Sequence, residues 1–183
     1  MFVFDLPCPI YKTKLKEHNT LKNEILSLID SSGCSSYVGI DDHGYTKTMI
    51  SKCDWNLPKE AERKYLDIIF PHIEENHFKL FNSLGFPTVN IINMWFQQYE
   101  KNSFHEWHTH TQCQWSSVYY LEFPKGSPRT VFVSPLNNTD TFDVDTEEGD
   151  IITFPSFIVH SAPKVESNKR KTIISFNSDI SLS

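Results

Sequence analysis

The sequence is short of glycine, with six in 183 residues, and its four cysteines are scattered without a CxxC pair. Cys8, Cys34, Cys53 and Cys113 therefore read as free thiols rather than as a disulfide or zinc-ribbon framework. No apolar run approaches the roughly 18 residues that a membrane-spanning helix requires. The opening "MFVFDLPCPIYKTK" lacks the pattern of a signal peptide, so the expectation is a soluble, cytoplasmic protein. Basic charge is not in excess either. A formal net charge of −6 argues against nucleic acid or an anionic membrane as partner, with "SNKRK", residues 167–171, as a local exception. GxSxG, a phosphate-cradling glycine loop and a Cys–His pair of recognisable spacing are all missing, which leaves hydrolase and kinase readings without support.

What is present is a high aromatic share, mostly phenylalanine, together with β-branched residues that favour a sheet-based core. Residues 1–183 read as one domain, divided into supporting elements over 1–87 and a strand-rich core over 88–183. "VFDLPCPIY" suggests an edge strand with two prolines. Leu21, Ile25, Leu28 and Ile29 recur at helical spacing, with Asn19 or Thr20 as N-cap and Gly33 as the stop. A second helical pattern runs from Lys59 to Leu84, and Pro71 within it predicts a kink or two consecutive helices. Between them, residues 31–48 read as a loop or irregular hairpin. After "GFPT" the pattern becomes short strands: "VNIINMWFQQY", "SSVYYLEFP", "RTVFVSP", "GDIITFPS" and "KTIISFN". Helices first and strands after predict a mainly β, α+β fold with the helices covering one sheet.

The chemistry concentrates in "SFHEWHTHTQCQWSSVYYL". In an extended segment, His108 and His110 lie on one face, and His160 in "FPSFIVHSAP" is placed to join them from another strand. Three protein ligands on one side of a metal leave positions open, which is a catalytic rather than a structural arrangement. His105 is out of register with the pair and reads as a supporting or substrate-side group. Trp95, Trp107 and Trp115 read as core or pocket walls. The acidic run "NNTDTFDVDTEEGD" reads as a solvated turn, with Gly149 shaping it and Asp150 bonding its backbone.

These segments in this order, "WFQQYEKNSFHEWHTHTQCQWSSVYYLEFP", "GDIITFPSFIVHSAP" and "RKTIISFN", resemble the 2-oxoglutarate/Fe(II)-dependent oxygenases common in marine bacteria and phages. "LPCPIY" and "KCDW" are similar to that group as well, so the likeness covers most of the chain. The resemblance implies a double-stranded β-helix, a jelly-roll barrel with the metal at one open end. It also implies Fe(II) and 2-oxoglutarate, with ascorbate as reductant, and O2 as a further substrate. The activity implied is a prolyl-hydroxylase-like hydroxylation of an unidentified substrate, a protein side chain among the candidates. If the chain is phage-encoded, the host cytoplasm is the implied location; a homodimer stays open.

By the same resemblance, Tyr99 and Tyr119 are candidates to donate hydrogen bonds to the cosubstrate carboxylate. Tyr119 and Tyr120 face opposite ways, so at most one of them looks inward. The usual facial triad is HxD…H; here His110 replaces the carboxylate, making an iron site one unit more positive. A three-histidine metal dioxygenase, a zinc hydrolase on the same barrel and a non-catalytic jelly-roll binding module are the alternatives. A basic anchor for the far carboxylate of 2-oxoglutarate separates the first reading from these, and "RKTIISFN" offers two of opposite parity. Arg170 is favoured, with Thr172 sharing its face and ten residues separating it from His160. Lys171, which shares a face with Ser175 and Asn177, is the other choice.

Overall fold

The computed structural model describes residues 8–58 and 60–181. Within them the chain forms β1 (Tyr11–Lys14), α1 (His18–Ser31), β2 (Tyr37–Ile40), β3 (Thr46–Ile50), β4 (Lys52–Cys53), α2 (Lys64–Ser83), β5 (Thr88–Tyr99) and β6 (Phe104–His108). It continues through β7 (Trp115–Glu122), β8 (Val131–Val133), β9 (Thr141–Asp143), β10 (Asp150–Pro155), β11 (His160–Ala162) and β12 (Lys171–Ser181). The five strands legible in the sequence are β5, β7, β8, β10 and β12. Residues 3–7 of the proposed N-terminal strand lie outside the described residues, and the strand itself begins at Tyr11.

The strands pair into two six-stranded sheets, ordered β1-β10-β7-β12-β5-β4 and β2-β3-β6-β11-β8-β9. No pairing links one sheet to the other among the described residues, so the jelly roll is a two-sheet sandwich rather than a hydrogen-bonded closed barrel. β12 lies between β5 and β7, antiparallel to both, and sets the face that every neighbouring side chain takes. Met94, Phe96, Tyr119, Leu121, Ile174 and Phe176 pack outward against Ile25 and Ile29 of α1 and Tyr65, Ile69 and Ile73 of α2. The alternate residues Tyr99, Val118, Tyr120, Ile152, Phe154 and Ile173 point between the sheets, where they meet Ile50, Phe132 and Ala162 of the other sheet. The period-2 alternation of a strand thus builds one core under the helices and a second inside the sandwich.

α1 departs from expectation at its cap, and α2 decides between the two alternatives at Pro71. α1 begins at His18 with no side-chain cap, because His18 is itself buried and its Nδ1 lies 2.7 Å from Tyr119 Oη. That bond ties the first turn to β7 and makes a polar cap at Asn19 or Thr20 unnecessary. α2 is a single element through Pro71 rather than two. Proline removes one hydrogen bond there, while Tyr65, Ile69, Ile73, His77 and Phe81 form a buried stripe along the same helix. That stripe outweighs one lost bond of about 1 kcal/mol. The region 31–48 is a hairpin, β2 on β3. Gly149 has φ 89° and abuts the His18 ring, while Asp150 Oδ2 accepts the Glu147 N–H at 2.8 Å, which closes the acidic turn as the sequence suggests.

Candidate active site

Each histidine of "HEWHTH" is aimed by a specific feature of the strand that carries it. His108 ends β6 and stands directly opposite His160 of β11. Residues three apart in a regular strand face opposite ways, yet His105 and His108 both line the same pocket. The register shift between β6 and β11 resolves this: His160 pairs with His108 but Ala162 with His105, so an extra residue of β6 bulges out. Glu106 and Trp107 are left outside, with Trp107 45% exposed. His110 follows in the connection to β7, its N–H donating to Ser156 O at 3.0 Å.

The outcome is that ligand nitrogens of His108, His110 and His160 all lie within 4.8 Å of one another. His108 Nδ1 faces Glu106 O at 2.7 Å and His160 Nδ1 faces Ile158 O at 2.9 Å. In each case the carbonyl two residues earlier engages one ring nitrogen, which fixes the tautomer and leaves Nε2 free to ligate. Burial pushes His160 well below its ordinary value and His108 below, and it takes His110 down to about 4. The imidazoles are therefore neutral at pH 7, the form a metal needs. His105 is held to about 3 by burial and by its neighbours. It stacks on His108 with ring centroids 3.9 Å apart and stands outside the ligand trio.

Among the described residues, no carboxylate lines the pocket beside these nitrogens. Three of the polar atoms at it lack protein partners: Trp95 Nε1, Gln97 Nε2 and Tyr99 Oη are buried without a hydrogen bond. Alternation along β5 puts these three side chains on one face. Three orphaned donors in one cavity each carry a desolvation cost of about 1–3 kcal/mol unless a ligand accepts from them. A polar ligand beside a metal is what such a cavity fits, and imidazole nitrogen suits iron among the metals that could bind.

The residues considered for the cosubstrate separate by parity. Lys171 is 1% exposed and points into the sandwich on the face of Ile173 and Ser175, both of which line the pocket. Its Nζ donates to Pro128 O at 3.0 Å and sits 4.8 Å from the Tyr99 ring centre. No carboxylate pairs with it among the described residues, and burial lowers it to about 7. Arg170 and Thr172 lie on the opposite face. They do clamp a carboxylate, but it is that of Glu122: Arg170 Nε donates at 2.7 Å and Thr172 Oγ1 at 2.8 Å, with Arg170 Nη1 also bonding Asp30 at 2.7 Å. Tyr119 faces the helices and His18, so Tyr120 is the inward tyrosine of that pair, and its hydroxyl is taken by Thr130 at 3.0 Å. Trp95 stacks near His110. Gln97 was not singled out from the sequence, although its shared parity with Tyr99 was the signal that could have found it.

Two facing sheets with a histidine trio at one pocket form a scaffold that can hold a metal with open coordination positions. Residues 93–177 match the family described as "Putative 2OG-Fe(II) oxygenase". The fold is similar to a prolyl hydroxylase from Trichoplax adhaerens solved with a hypoxia inducible factor peptide fragment: TM-score 0.64, 13% identity, 92% of this chain and 82% of that chain. It is also similar to the viral collagen prolyl hydroxylase of Paramecium Bursaria Chlorella virus-1, with TM-score 0.60 and 13% identity over 92% of this chain and 94% of that one. A Pseudomonas putida prolyl-4-hydroxylase aligns with TM-score 0.57 and 15% identity, over 93% and 92% of the two chains. No curated protein matches the sequence. Among the described residues, no helix is long and apolar enough to cross a membrane.

Proposed function

We propose that this chain hydroxylates a substrate C–H bond, a peptide side chain such as proline being the favoured class. In this reading His108, His110 and His160 hold Fe(II), and Lys171, rather than Arg170, anchors the far carboxylate of 2-oxoglutarate. The observation that carries it is a fully buried lysine with no counter-ion, set in the same interior as three orphaned donors and a histidine trio. Burying an ammonium without an anion is costly, and an anionic ligand removes that cost. A three-histidine dioxygenase or zinc hydrolase working without a cosubstrate has no use for such a cation. Arg170 is already neutralised by Glu122 and Asp30.

Each residue then has a task. The ring tautomers of His108 and His160 are set by backbone carbonyls, so metal entry requires no rearrangement of either ring. Lys171, stacked over Tyr99, supplies a point charge rather than a bidentate fork. Tyr99 Oη donates to the cosubstrate from beside it. Bound Fe(II), with O2 and 2-oxoglutarate, supplies the oxidising power that converts 2-oxoglutarate to succinate and CO2 and a substrate C–H to C–OH. With no carboxylate in the ligand set, the 2-oxoglutarate dianion brings the negative charge that HxD sites take from aspartate. Val118, Phe154, Ala162 and Ile173 supply apolar wall to the pocket.

The prolyl side chain as substrate class draws on the three similar enzymes, each named a prolyl hydroxylase. The experiment is succinate release from 2-oxoglutarate by the purified protein with Fe(II) and ascorbate, without added substrate. Slow succinate formation in the wild type and none in His160→Ala is expected. Metal binding without any succinate would move the chain to the cosubstrate-independent reading, and failure to bind metal would leave a non-catalytic module.

A further inference from the structure

The "KCDW" segment carries a second constellation that metal and cosubstrate binding do not use. Asp54 is 1% exposed, and its carboxylate accepts from three groups: Phe96 N–H at 2.8 Å, Tyr65 Oη–H at 2.7 Å and Arg63 Nε–H at 3.1 Å. β4 pairs with β5 only through Lys52 and Cys53, so Asp54 completes the edge of β5 with a side chain in place of a strand. Arg63 Nη2 in turn donates to Asp54 O at 3.3 Å and Leu57 O at 3.1 Å, which fastens the following turn. Such a buried latch is more than a solvent loop needs.

What the latch fixes is Trp55. This indole remains 46% exposed, yet it is surrounded by rings: Tyr37 stacks on it at 5.8 Å and 21°, Trp95 lies at 6.0 Å and His105 at 5.9 Å. Trp95 and His105 line the metal-side pocket. Trp55 and Tyr37 therefore extend the pocket wall outward as a rigid aromatic rim. An exposed tryptophan held this firmly has one face committed to solvent or to a ligand. Ring faces are electron-rich, so they attract polarised C–H groups and repel carboxylates. The orphaned Trp95 Nε1–H and Gln97 Nε2–H lie just inside and suit backbone carbonyl oxygens.

The geometry points to Trp55 as the specificity-determining residue of the substrate subsite: with Tyr37 it stacks an uncharged, C–H-rich peptide side chain, a saturated ring or branched aliphatic group, and turns away acidic ones. This rests on the oxygenase reading only for the direction in which the side chain is presented.

The test uses protein loaded with Zn(II), as a redox-inert stand-in, and 2-oxoglutarate. Binding of acetyl-Gly-X-Gly-amide, with X proline, leucine or glutamate, is followed by NMR titration. The proline and leucine probes are expected to bind at least about tenfold tighter than the glutamate probe, and Trp55→Ala to remove about tenfold of that affinity. Trp55→Phe keeps most of it, and a thermal melt confirms that each variant folds. Unchanged probe binding in Trp55→Ala, equal binding of the glutamate probe, or no binding of any probe to the wild type overturns the assignment. 2-Oxoglutarate affinity, measured on the same samples, is expected to be the same in wild type and Trp55→Ala. Its absence from the wild type would sink the cosubstrate reading while leaving the probe result to judge Trp55.

Discussion

The two faces of the sheet β1-β10-β7-β12-β5-β4 are made from alternating residues of the same strands and have opposite character. On the helix face, the polar groups at the strands find partners: Tyr119 bonds His18, Ser178 bonds His77 at 2.8 Å, and Gln98 bonds Asp30 at 2.9 Å. One residue along β5, on the inner face, Trp95, Gln97 and Tyr99 each carry a buried polar atom without a partner. β12 repeats the contrast, with Arg170 and Thr172 gripping Glu122 while Lys171 is buried without a counter-ion. A face that serves stability satisfies its own groups, whereas a face that serves a ligand leaves them for the ligand. Substitutions on the two faces should therefore separate binding from stability.

The largest separation is expected at the metal. His160→Ala should lower metal affinity by more than about 100-fold, beyond the loss typical of supporting groups, while His105→Ala keeps metal loading, both read by metal content after dialysis. Equal loss in the two would mean that His105, and not only the trio, ligates. Next comes the cation. Lys171→Met should weaken 2-oxoglutarate binding about thirtyfold or more, the cost of truncating a buried charge partner. Arg170→Ala should leave that binding intact and lower the melting temperature instead; the reverse pattern would restore Arg170 as anchor.

The tyrosines give a smaller and symmetrical effect. Tyr99→Phe should weaken 2-oxoglutarate about fivefold without destabilising the free protein, since its hydroxyl is unpaired there. Tyr119→Phe should cost about 1 kcal/mol of stability through the lost His18 bond and leave binding unchanged. Chemical denaturation alongside calorimetric titration would sort the two, and a binding defect in Tyr119→Phe would contradict the division of faces.

The smallest effect is in pH. Burial lowers His77 from 6.5 to about 4, so the unfolded chain takes up the proton first. His77 therefore favours the fold fully above about pH 6.5, and that contribution fades as pH falls towards 4. Its slope approaches 1.4 kcal/mol per pH unit. In metal-loaded protein, where the trio is held by the ion, His77→Gln should flatten the stability profile across this window. An unchanged profile would show that His77 titrates normally.

The histidine trio was legible because its signal is local: HxH spacing, then a histidine at the end of an apolar strand. The same locality exposed five strands and both helices. It failed where one distant contact outweighed a local rule, as when the buried His18 replaced a polar cap. The short strands β4, β6, β9 and β11 escaped notice because two to five residues show too little period to read.

By itself the sequence determined the chemistry on offer: three histidines able to converge, an adjacent Arg170–Lys171 pair of opposite parity, and tyrosines that cannot both face inward. Only the tertiary structure decided which member of each pair looks into the sandwich. Parity along a strand is fixed by a single residue of register, and that register is set by partners far away in sequence. Lys171 opposite Tyr99, and a bulge of β6 against β11, are such partners. Arg170 then falls beside Glu122, Tyr119 beside His18, and His105 onto the ring of His108.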